Sequence, residues 1–118
     1  MIAEREFTLD PDQKVTIRLG MPFTPETEGF PNESWCPHQI TGLGNGKVRR
    51  AVGIDAFQSL RIALQVIGSD LYASEEYKAG RLHLGGRDPD LNLPVFDELR
   101  HLVPPIPPQP FSHDPPSV

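Results

Sequence analysis

The chain has a single cysteine, Cys36. No internal disulfide can form, and a reducing compartment, the cytoplasm, is the simplest setting. There is no apolar run near the ~18 residues that cross a bilayer, so no membrane partner is expected. The start, Met1-Ile2-Ala3-Glu4-Arg5-Glu6-Phe7, has no basic stretch leading into an apolar one, and no secretory signal is expected. Positive charge is scarce: 11 Lys and Arg stand against 16 Asp and Glu, a net charge of -5 in 118 residues. The best basic patch is Lys47, Arg49 and Arg50, with Arg61 and Arg81 as further members. With this charge balance it reads as a solvated strand edge carrying gatekeeper charges, and no nucleic-acid partner is expected. No internal repeat is present.

Proline and glycine are abundant, with 14 and 10 residues. They divide the chain into segments. Residues 3–9 alternate weakly as a strand, and Asp10-Pro11-Asp12 signals a turn. In 14–19, Val15, Ile17 and Leu19 fall on one face, the period-2 pattern of a half-buried strand, so the two segments form a hairpin. Residues 20–34 form a long surface loop with Phe23 and Phe30 as anchors. Trp35–Thr41 is a strand whose start Pro37 places at a sheet edge or bulge. Gly42-Leu43-Gly44-Asn45-Gly46 is a hairpin turn, and 47–54 is the returning strand.

Asp55 and Gln58 fit a capping box at a helix start. Phe57, Leu60, Leu64, Ile67 and Leu71 follow at helical spacing, widened by Ala56, Ala63 and Val66. Burying the five large side chains is worth roughly 7 to 15 kcal/mol gross, at about 1.5 to 3 each. Gly68 either permits close packing or marks the helix end. Glu75–Lys78 prolongs the helix or forms a loop, Arg81–Leu84 is a short last strand, 88–94 is turn-rich, and 95–103 forms one or two helical turns. From Pro104 onward the prolines favour polyproline II or disorder. The expected organisation is one α+β domain over 1–96 and a proline-rich extension over 97–118.

Few residues carry a chemical signal. Cys36 and His38 share a strand face, but a structural zinc site needs four ligands and no second ligand pair follows. His83, His101 and His113 would have to complete a site from remote segments. Cys36 reads as a small buried hydrophobe, and no cysteine-hydrolase signature surrounds it. The glycines at 42–46 precede a strand rather than a helix and lack the Gly-Lys-Ser/Thr ending of a phosphate loop. Asp55 caps its helix and would repel an anion there. Asp88 and Asp90 are turn formers, and Trp35 reads as a core-rim aromatic. The tail carries PxxP spacings at Pro104, Pro107 and Pro110, read as a flexible extension. No cofactor and no metal are expected.

Trp35-x-Pro-x-Gln-Ile-x-Gly, the run Ala51-Val-Gly-Ile-Asp-Ala-Phe-Gln-Ser-Leu with its long helix, and Asp90-Leu91-Asn92-Leu93-Pro94 together resemble a family of small uncharacterised bacterial α+β domains, a domain of unknown function. The resemblance covers roughly residues 3–96, departs at Ser59 where alanine is the family residue, and implies a bacterial cytoplasmic protein. It implies no activity.

The expected fold is α+β: an antiparallel sheet of four or five strands packed against one long helix, with a proline-rich tail. The expected function is a non-catalytic protein-interaction module, homodimeric or bound to another protein. With its acidic surface it suits a basic partner, such as a nuclease-like toxin that it would neutralise as an immunity protein. The candidate binding residues are Trp35, Cys36, His38, Gln39 and Arg49. The alternative is a small-ligand or metal-binding enzyme using the Trp35–Gln39 strand edge.

Overall fold

A computed structural model describes residues 1–26, 32–86 and 88–105. Five strands form one antiparallel sheet in the order β4-β3-β2-β1-β5: β1 Ala3–Leu9, β2 Gln13–Leu19, β3 Ser34–Thr41, β4 Arg49–Gly53 and β5 Leu82–His83. Helix α1, Ala56–Tyr72, packs on β3 and β4. A short helix α2, Glu75–Lys78, and a 3-10 turn, Asp97–Leu102, complete the chain. The α+β expectation holds, with five strands. Phe30, His113 and the tail prolines from 107 onward lie outside the described residues.

Alternation decides which face is buried. Phe7 and Leu9, then Val15, Ile17 and Leu19, then Cys36, then Ala51 point to one face and form the core with Ala63, Ile67, Leu71 and Tyr72 of α1. The other face stays open. There Glu4 pairs with Arg18 at 2.6 Å and Glu6 with Lys14 at 3.0 Å, exposed bridges that contribute little to stability.

Pro37 sits in β3, which is an interior strand, so the expectation of a sheet edge is corrected; the alternative, a bulge, explains it. Leu19 faces His38 and Phe23 bridges Trp35, so the first chain advances four residues while β3 advances three. The extra residue makes a bulge at 20–22. Pro37 accepts from Gly20 N–H at 2.8 Å, and the N–H it lacks falls where the neighbouring chain has swung out of register.

Asp55 caps α1, its carboxylate accepting from Gln58 N–H at 2.8 Å, while Gln58 Oε1 reaches back to Ile54 N–H at 2.7 Å. The buried stripe differs from the expected one. It runs through Ser59, Ala63, Ile67 and Leu71, while Phe57 is 86% exposed and Leu60 and Leu64 are half-buried. Small residues face the sheet because the helix lies close: a Cβ on Gly53 would stand 2.6 Å from Ser59 N. The buried Ser59 hydroxyl bonds that of Ser34 at 2.9 Å.

The segment 91–96 straps the C-terminal half of α1. A Cβ on Gly68 would collide with the carbonyl of Pro94, so glycine there serves close packing. Ser69 Oγ accepts from Phe96 N–H, and Arg5 donates to the carbonyls of Leu91 and Asn92. This strap covers the Leu64–Gly68 side of the helix and stops short of Phe57. Beyond it, Leu99, Leu102 and Val103 pack partly buried against the core.

Candidate functional site: the open edge of the sheet

The five residues singled out from sequence do not converge on one surface, because they alternate along β3. Trp35 and Gln39 face the open side of the sheet. The Trp35 indole N–H donates to Glu33 at 2.9 Å, the Arg50 guanidinium lies 4.1 Å from the ring centroid, and Phe23 meets the ring edge-on at 6.2 Å. Gln39 donates to the carbonyl of Gly46 at 2.8 Å and anchors the 42–48 loop.

Cys36 and His38 face α1 and are buried. The Cys36 thiol donates to the carbonyl of Gly20 at 3.5 Å, and burial pushes its pKa up. A nucleophilic cysteine needs the opposite shift. His38 Nδ1 donates to the carbonyl of Cys36 at 3.2 Å, leaving Nε2 without a hydrogen-bond partner among the described residues. Burial lowers the His38 pKa most, nearby Arg49 lowers it further, and the Cys36 hydrogen bond and Asp70 oppose. A neutral ring with a bare Nε2 follows. Arg49, opposite His38, is engaged with Asp70 of α1. No group of three or more His, Cys, Asp or Glu side chains suited to a metal ion occurs among the described residues.

The basic patch also divides. Arg50 lies over Trp35 on the open face, whereas Arg49 reaches Asp70 on the helix side. A cleft of about 370 Å³ lies between the 42–48 loop and the end of α1, and the Arg49–Asp70 pair occupies the polar part of its wall.

Apolar side chains are exposed near this edge, Val48 and Val52 on the open face of the sheet and Phe57 on the flank of α1 that the strap leaves uncovered. Val48 (64% exposed), Val52 (41%), Ile54 (78%) and Phe57 (86%) lie along β4 and the first turn of the helix that leaves it. β4 is an edge strand. Trp35 exchanges backbone hydrogen bonds with Phe23, and the Pro37 carbonyl is taken by Gly20, so β3 turns Ser34, Cys36 and His38 toward β4. Arg49, Ala51 and Gly53 answer them, which leaves the backbone N–H and C=O of Arg50 and Val52 directed outward. Sequence reasoning missed this rim. The strand 47–54 was expected, but its exposed valines were not singled out and Phe57 was assigned to the core.

The span matched by a known family takes in all of these elements. The chain belongs to a family described as a domain of unknown function, DUF6968, matched over residues 3–95. No curated protein and no solved structure matches it. The family span covers the five-stranded sheet, both α-helices and the strap through Val95. No helix among the described residues is long and apolar enough to cross a membrane.

Proposed function

We propose that this domain is a non-catalytic protein-interaction module of the bacterial cytoplasm that assembles with a second copy of itself through the β4 edge. The observation that carries this reading is the contrast in exposure. Cys36 and His38 are buried and tied to the backbone, while Val48, Val52 and Ile54 are displayed beside strand backbone that has no partner among the described residues. Apolar groups clustered at an open edge invite strand pairing. A net charge of -5 favours a basic protein for any further partner, the class to which a toxin neutralised by an immunity protein would belong. The test is light scattering over a concentration series at two salt levels. A dimer mass that persists in high salt is the expected result, since apolar burial rather than charge would hold it. A monomer mass at every concentration overturns the proposal.

A further inference from the structure

The β4 rim is self-complementary in one register. We infer that two copies join β4 to β4 antiparallel about a two-fold axis at Ala51, merging two five-stranded sheets into one continuous sheet. This rests on the reading of β4 as a self-association edge and goes beyond it by fixing the pairing.

Around that axis residue numbers on facing strands sum to a constant. Arg50 of one copy meets Val52 of the other, Val48 meets Ile54, Arg49 meets Gly53, Lys47 meets Asp55, and Ala51 meets itself. Every exposed apolar residue of the strand and its flanks thus faces an apolar residue or the stem of an arginine. The one acidic residue of the rim, Asp55, faces a lysine. Glycine opposite Arg49 leaves room for a side chain already held by Asp70.

Backbone chemistry separates this register from its neighbours. Only registers in which the outward-directed groups of Arg50 and Val52 meet outward-directed groups can form the ladder. Shifting one way centres the axis on Arg50 and sets arginine against arginine, a like-charge pair. Shifting the other way centres it on Val52 and pairs Arg50 with Ile54. The Ile54 N–H is already donated to Gln58 Oε1 at 2.7 Å, so that register leaves a bond unmade in the pair next to the axis on each side, whereas the axis at Ala51 sets Ile54 only in the outer pair with Val48, beyond the ends of β4. The axis at Ala51 uses the residues whose outward N–H and C=O are both open.

The test uses Arg50→Cys and Val52→Cys as separate full-length variants, each checked for a two-state melt. Cys36 is buried and does not compete. Under mild oxidation an equimolar mixture should form disulfide-linked dimers well above the level of either variant alone, because facing Cα atoms in such a pair lie within disulfide range. Cross-linking of Val52→Cys alone would move the axis to Val52 and overturn the register while leaving the self-associating edge intact. A dimeric mass with no cross-link in any arm would place the contact elsewhere on the domain and overturn both the register and the β4 edge, leaving self-association alone. A monomeric wild type would overturn both readings. If either variant fails to fold, amide exchange on the wild type decides: Arg50 and Val52 amides should slow with concentration, and unchanged exchange in a proven dimer overturns the pairing.

Discussion

The two edges of the sheet are built in opposite ways. At one end β5 is only two residues long, Leu82 and His83 are buried, and His83 Nε2 meets Asp10 at 3.1 Å while Arg81 donates to the Asp10 carbonyl. Arg5 of the neighbouring β1 holds the strap that runs back over α1. This closed side has short strand, covered backbone and polar tethers, the features that blunt an edge. At the other end β4 runs five residues, its outward N–H and C=O groups without a partner among the described residues, and it exposes valine and isoleucine beside Arg49 and Arg50, charges already engaged by Asp70 and the Trp35 ring. The closed side therefore stabilises the monomer, and the open side is where a second copy is proposed to bind. Substitutions on the two sides should separate cleanly into effects on melting and effects on assembly.

The largest loss is expected on the closed side. Leu91, the first residue of the strap, is fully buried. Leu91→Ala should cost about 2 to 5 kcal/mol, the range for a buried leucine that leaves a cavity. Urea unfolding would measure it, and a loss below about 0.5 kcal/mol would mean that the strap is dispensable and the two sides are not different in kind. Gly68→Ala comes next. Its methyl has no room beside the Pro94 carbonyl, so the strap must lift, at about 1 to 3 kcal/mol. An unchanged or raised midpoint would show that the strap yields freely.

Tyr72→Phe probes the same side by a polar route. The Tyr72 hydroxyl donates to Asp90 at 3.2 Å and accepts from Leu91 N–H at 2.9 Å. Removing it strands a buried amide, a loss of about 1 to 3 kcal/mol. Burial, with Asp90 adding its charge, raises the Tyr72 pKa from 10 to about 12. The folded state thus holds the phenol proton more tightly than the unfolded chain. Its contribution to stability is intact below pH 10 and is lost as pH climbs toward 12. Wild type should lose stability across that window, and Tyr72→Phe should lose less. Parallel pH profiles for the two proteins would remove Tyr72 from the account.

How much of this was legible in the sequence varies with the physics involved. Val15, Ile17 and Leu19, and the Asp55–Gln58 cap, act through neighbours in the chain, so period and spacing located both hairpin and helix. Phe57 misled because helical spacing reveals a stripe but not how far along it the covering element extends; the strap reaches Gly68 and stops. The strap itself, in a stretch that reads as turns, is held by Arg5 from the far end of the chain, and no local pattern carries that pairing. Ser59 looked like a minor departure from alanine, yet its partner Ser34 lies on another element. The candidate binding residues divide between two faces for a simpler reason. Adjacent strand residues face opposite sides, so Trp35, Cys36, His38 and Gln39 could not line one surface.

The smallest effect on stability is expected where the effect on assembly is greatest. Ile54, just past the end of β4, is 78% exposed, and the proposed pairing sets it against Val48 of the second copy. Ile54→Ser should leave the monomer within about 0.5 kcal/mol of wild type, because an exposed side chain has little to lose on truncation. Serine in its place should nevertheless weaken self-association, since the side chain would bring apolar area to the proposed seam only when a second copy binds. Unfolding must be followed at a concentration where the wild type is monomeric, because binding to the folded state alone would raise the apparent stability of a dimer. Unchanged melting with a weaker dimer sets the open edge apart from the closed one. A large drop in monomer stability would instead show that Ile54 supports the fold and dissolve the distinction between the two edges.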